Sequence, residues 1–79
     1  MKRKIKLIWD FFGEDAKKTA KHHAIHLKEF SKMKALENTE SGTEEITAQE
    51  HSAFLIVEEE NMIVVRDALR PKRGQWVEQ

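Results

Sequence analysis

The chain has no cysteine, no tyrosine and only one proline among its 79 residues. The absence of cysteine excludes disulfide bonds, thiolate catalysis and thiolate metal sites. Apolar runs such as residues 54–57 are far shorter than the roughly 18 residues that a membrane-spanning helix requires. No secretory signal follows the basic residues 1–4. We therefore expect a cytoplasmic protein with no membrane association.

The length of the chain predicts one domain over residues 1–79 with a thin hydrophobic core. A domain of this size buries only a little over ~60% of the surface that its unfolded chain exposes. Small domains usually gain the missing stability from disulfides, metals or oligomerisation, and disulfides are excluded here. We therefore expect a homodimer.

The formal net charge is zero, but the charges are segregated along the chain. Residues 1–36 carry ten Lys or Arg against four Asp or Glu, whereas residues 37–61 carry eight acidic residues and no Lys or Arg. The basic residues straddle an apolar strand and line a helix without interleaved aromatic residues, which is not the pattern of a nucleic-acid-binding surface. Acidic and basic surfaces that complement each other, within or between subunits, are the interpretation we favour.

The first two elements follow from hydrophobic periodicity. Residues 4–11 alternate between two faces, which predicts a strand. Asp15 is a suitable N-cap for a helix that runs to about Leu36. At ~100° per residue, this helix has one apolar stripe, formed by Ala16, Ala20, His23, Leu27 and Phe30.

The second half of the chain predicts further strands and one ambiguous segment. Residues 38–42 form a turn or loop cluster, residues 43–50 a weak edge strand, and residues 53–57 a central strand that is apolar on both faces. Residues 59–70 favour a strand by their β-branched content and a helix by their spacing, with Pro71 at the point where a helix would stop. A helix there, followed by a strand at residues 75–78, gives the order βαββαβ, with one antiparallel sheet and both helices on one face. The alternative is βαββ with an extended C-terminal tail.

Three short features accompany the order βαββαβ: the Ile8-Trp9 step, the His26-Leu27 pair and the apolar strand from Phe54 to Glu58. In this order and in these residues the chain resembles the ferredoxin-like subunits of the dimeric α+β barrel superfamily, which includes the YCII-related proteins and the small antibiotic-biosynthesis-type monooxygenases. The Asp-Pro motif of YCII-related proteins is absent, because Pro71 follows Arg70. The resemblance implies that two open sheets pack face to face and cover Ile8, Phe54 and Ile56, which a single chain would leave exposed.

Three of the four histidines lie within five residues, at positions 22, 23 and 26. His22 and His26 have the i, i+4 spacing that lets two imidazoles reach one metal ion. A third ligand would have to come from His51, Glu50 or Asp10, and two ligands do not make a site. We therefore predict no metal and no cofactor.

The same helix supplies the candidates for chemistry and for ligand binding. His26, at the margin of the apolar stripe, is the candidate general base, and Asp10 at the end of the first strand is its candidate orienting partner. His23 and Trp9 are the candidate ligand-binding residues, although both also suit a packed core. Arg66, Asp67 and Arg70 suit either an anion site or the solvated face of a short helix.

Two functions from different classes are compatible with these features. The first is a small homodimeric binding or interaction module without demonstrable catalysis, whose pocket lies between the sheet and the histidine-bearing helix. The second is a small cofactor-free enzyme similar to YCII-related proteins or monooxygenases, which acts on a small organic molecule with His26 as general base. An enzyme requires an enclosed cavity into which His26 is exposed.

Overall fold

The computed structural model describes residues 3–77. In chain order its elements are β1 (Lys4–Phe12), α1 (Ala16–Met33), β2 (Glu40–Thr47), β3 (Glu50–Glu58), a 3₁₀ turn (Glu59–Asn61), α2 (Met62–Leu69) and β4 (Arg73–Val77). The strands form one sheet in the order β2-β3-β1-β4, and all neighbouring pairs are antiparallel. The predicted α+β class, with a four-stranded antiparallel sheet and two helices, is confirmed.

The ambiguous segment is helical, so the alternative with an extended tail is wrong. Val65 is fully buried and Met62 and Leu69 pack against the core, which is the helical spacing seen in the sequence. Arg70 adopts a left-handed conformation with φ of 47° and ends α2 directly before Pro71. Burial of one helical face outweighs the β-propensity of the segment.

Several predicted boundaries differ from those in the structure. β2 begins at Glu40, inside the predicted loop, because its first residues pair with the apolar strand β3. α1 ends at Met33 rather than Leu36, since Ala35 takes a left-handed φ of 54°. β4 begins at Arg73 rather than at residue 75, and Glu78, predicted in this strand, lies outside the described residues.

The core lies between the sheet and both helices. Ile5, Leu7 and Trp9 alternate on one face of β1, where they meet the inward residues of β3 and the two helices in a single cluster. Leu27 of α1 and Val65 of α2 are both fully buried in this cluster. Neither helix in residues 3–77 is long and apolar enough to span a lipid bilayer.

The opposite face of the sheet, here called the open face, is partly covered by charged side chains. The ammonium group of Lys6 lies 4.5 Å from the centroid of the Phe54 ring and pairs with the carboxylate of Glu44 on β2. Phe54 in turn leans over Gly42, where an added Cβ would lie 2.9 Å from the ring.

The expectation that a single chain leaves Ile8 exposed is wrong. Ile8 is only 3% exposed, while Phe54 and Ile56 are partly buried. The backbone register places Phe54 on one side of Ile8 and Arg73 on the other, so long side chains flank it on both neighbouring strands.

Candidate functional site

The three histidines of α1 border a shallow groove beside the end of β1. The groove has a volume of about 390 Å³, and its lining residues are Phe11, Lys18, Thr19, His22, His23 and His26. We call it the histidine groove. Lys18, His22 and His26 recur every four residues, which places them in one row along the helix.

His23 forms the deepest polar part of the histidine groove. Its ring centroid lies 5.1 Å from that of Trp9 and 5.5 Å from that of Phe11. The buried Nε2 atom of His23 has no hydrogen-bond partner within residues 3–77. Burial lowers the pKa of His23 below its usual value of 6.5, and the nearby His26 lowers it further.

His22 and His26 are solvent-exposed neighbours. Their ring centroids lie 4.8 Å apart in an edge-to-face arrangement. Nδ1 of His26 lies 3.2 Å from a carboxylate oxygen of Glu29, and the side chain of His26 is 60% exposed. Among the described residues, no group of three or more histidine, cysteine or carboxylate side chains is arranged to hold a metal ion.

Asp10 lies on the open face, away from the histidines. It pairs with Ser52 across the sheet, whereas the adjacent Trp9 points into the core. The Ser52 hydroxyl donates to Asp10 at 2.6 Å, and Arg73 donates to both carboxylate oxygens from Nε and Nη2 at 3.2 Å each. These hydrogen bonds, that from Arg73 first, lower the pKa of Asp10. The structure therefore does not bring Asp10 and His26 together.

Trp9 supports the histidine groove without lining it. The indole is 6% exposed, and its Nε1 donates a hydrogen bond of 2.9 Å to the carbonyl oxygen of Leu69 at the end of α2. Its contact with the site is through the ring of His23. Of the two predicted ligand-binding residues, only His23 reaches the cavity.

The remaining candidates lie elsewhere. His51 is 5% exposed on β3, with Nε2 3.9 Å from Glu45. Arg66 donates from Nε to the adjacent Asp67 at 3.3 Å, and both are exposed, as expected for the solvated face of α2.

Sequence reasoning missed Phe11, Lys18 and Thr19 as lining residues. The four-residue spacing of Lys18, His22 and His26 was the signal that could have identified the row on α1. Phe11 carried no such signal, because its place at the floor depends on how α1 crosses β1.

A second cavity of about 260 Å³ lies at the other end of α1. Its lining residues are Lys28, Ser31, Lys32, Leu36, Thr39 and Ser41. The Ser31 hydroxyl is directed to its own helix, where it lies 3.1 Å from the Leu27 carbonyl and 3.0 Å from that of Lys28. This cavity therefore lacks an unpaired buried polar atom like that of His23.

The histidine groove combines an aromatic floor, a row of basic side chains on α1 (Lys18, His22 and His26) and the half-buried imidazole of His23. Such a combination can hold a small molecule by stacking and by a few hydrogen bonds. No family model, curated protein or solved structure matches this chain. The geometry of the histidine groove is therefore the basis for proposing a function.

Proposed function

We propose that this chain is a small binding module with ferredoxin-like topology, which acts as a homodimer and takes a small organic molecule in the histidine groove. The observation that carries the proposal is the cavity of about 390 Å³ itself, which is lined by three histidines, Lys18, Thr19 and the ring of Phe11. Its lining combines an apolar ring with several groups that can form hydrogen bonds, as small-molecule sites do.

The geometry favours binding over catalysis. A general base needs a partner that orients it and an environment that excludes water. His26 is 60% exposed, and its close carboxylate is Glu29, which is also exposed. Asp10, the predicted partner, is held by Ser52 and Arg73 on the other side of the sheet. The separation of Asp10 from His26 and the exposure of the His26–Glu29 pair therefore favour a binding role over general-base catalysis at His26.

The homodimer is proposed to form through the open face. Phe54 and Ile56 are partly buried there, whereas both helices cover the opposite face. The register places Glu40 and Glu44 of β2 on the open face, and Arg73 of β4 on the same face at the far edge of the sheet.

These charges favour one arrangement of the two copies. A two-fold axis parallel to the strands lays β2 of one copy over β4 of the other. Glu40 of each copy then faces the β4 edge of the other copy, while Glu44 and Arg73 keep their ion pairs with Lys6 and Asp10 in their own chain.

A fragment screen by two-dimensional NMR tests the ligand proposal. We expect saturable shifts of the imidazole signals of His22 and His23 with at least one class of small planar molecule. The variant Thr19→Trp, which places a large side chain at the groove, should abolish these shifts. Lys17→Trp is the matched control, because Lys17 is exposed on the same turn of α1 and does not line the groove. Equal binding by both variants, or no binding by any fragment, would overturn the proposal.

A further inference from the structure

The ionisable side chains that line the histidine groove are all basic. Its lining residues include one lysine and three histidines and no Asp or Glu. Lys18 lies in the first turn of α1, and no acidic residue lies in that turn. The helix N-terminus has a partial positive charge, which the carboxylates of Glu14 and Asp15, just before α1 and outside the groove lining, oppose. Lys18 has no ion-pair partner within residues 3–77.

The floor of the groove is aromatic. Phe11 is partly exposed, and its ring meets that of His23 edge to face at an interplanar angle of 63°. Thr19 adds a hydroxyl group to the wall. A planar molecule can therefore stack on the ring of Phe11 while its edge faces Lys18 and the histidines.

On this basis we infer that the histidine groove selects small planar organic acids, with the carboxylate at Lys18 and His22 and the planar body against Phe11 and His23. This inference rests on the proposed function and specifies the ligand class. His26 already lies beside the carboxylate of Glu29. We therefore place the carboxylate of the organic acid at the other end of the row, near Lys18 and His22. A lysine ammonium is a point charge that suits a carboxylate, and the two groups attract more strongly beside an apolar floor than in bulk water.

Benzoate, benzamide and acetate form a matched set of probes. Benzoate has both the ring and the charge, benzamide keeps the ring without the charge, and acetate keeps the charge without the ring. We expect benzoate to bind most tightly, and benzamide and acetate to bind at least about threefold more weakly, because each lacks one of the two features that the groove recognises. Histidine ring shifts in NMR titrations give the affinities.

Two variants that each remove one lysine charge from α1 test where the carboxylate of benzoate binds. Lys18→Gln should weaken benzoate binding by about threefold to tenfold, the range expected for one partly exposed ion pair, and leave benzamide unchanged. Lys32→Gln removes the same charge from the same helix but at the second cavity, and should have no effect.

The outcomes separate this inference from the proposed function. Benzamide binding as tightly as benzoate, or a benzoate affinity independent of Lys18, would overturn the inference while the groove remains a ligand site. If Thr19→Trp binds benzoate as well as the unmodified protein does, both the inference and the groove are wrong.

Discussion

The imidazole of His23 packs against the indole of Trp9, with 5.1 Å between the ring centroids. The same indole donates its N–H to the carbonyl of Leu69 at the end of α2. A continuous line of contacts therefore runs from α1 through β1 to α2. A change at His23 acts both on the groove and on the contact between the two helices, which makes this residue the most informative one to substitute.

We expect His23→Ala to lower the free energy of unfolding by about 1–3 kcal/mol, because the substitution removes aromatic packing against Trp9 and Phe11. His23→Leu should cost less than His23→Ala, since it keeps apolar volume and removes the unpaired nitrogen. His26→Ala should cost under ~1 kcal/mol, as an exposed position does. Urea unfolding of the three variants decides this. Equal losses at His23 and His26 would show that the packing role of His23 is misassigned.

Acidification should destabilise the protein partly through His23. Burial lowers the pKa of this imidazole in the folded state below its usual 6.5, so the unfolded chain takes up a proton more readily. Stability is therefore lost as pH falls from 6.5 toward the folded-state pKa. His23→Leu should lose less stability than the unmodified protein between about pH 7.5 and about pH 5.5, the range in which histidine charge changes. His26→Ala should keep most of the steeper dependence, because burial, the larger cause of the lowered pKa of His23, remains.

The end of α1 offers a stabilising substitution. Leu36 N–H bonds to the Ser31 carbonyl at 2.9 Å, and Ala35 N–H bonds to that of Lys32 at 3.1 Å, which is a Schellman motif. Its left-handed position is occupied by Ala35, with φ of 54°, where glycine carries no steric penalty. Ala35→Gly should raise the free energy of unfolding by about 0.5–1 kcal/mol. Lys34→Gly, at the preceding residue with φ of −89°, should lower it instead. Thermal unfolding of both variants gives the comparison.

Asp10 is predicted to stabilise the sheet without contributing to the groove. Ser52→Ala removes the 2.6 Å hydrogen bond to its carboxylate and should cost about 1 kcal/mol. The affinity of the histidine groove for benzoate should not change. A loss of benzoate binding in Ser52→Ala, with stability unaffected, would show that Asp10 contributes to function.

The proposed dimer predicts that Phe54→Asp yields a monomer. The substitution removes the largest apolar side chain of the open face and puts a charge there, whose desolvation in an interface is costly. Ile25→Asp is the control, because Ile25 is 52% exposed on α1 and away from the open face. Multi-angle light scattering at micromolar concentration should show a dimer for the control and for the unmodified protein. A monomeric unmodified protein would refute the homodimer.

Patterns local to the chain predicted most of the fold. The alternation of residues 4–11, the helical stripe through Leu27 and the apolar run in β3 each depend only on neighbours a few residues away. The segment Met62–Leu69 was harder, because β-branched residues at helical spacing satisfy both patterns. Its conformation depends on the burial of Val65 against strands that are distant in the sequence.

The sequence by itself determined the first strand and the helix after it, the absence of thiol chemistry and the clustering of histidines on one helix. Its alternation over residues 4–11 also separates Asp10 from Trp9, because adjacent residues of a strand point to opposite faces. Only the tertiary structure decided what each of these side chains meets. Asp10 binds Ser52 and Arg73 on the open face. The crossing of α1 over β1 buries His23 against Trp9 and places Phe11 at the floor of the groove. Local patterns could not reveal these contacts, because they join residues that are distant along the chain.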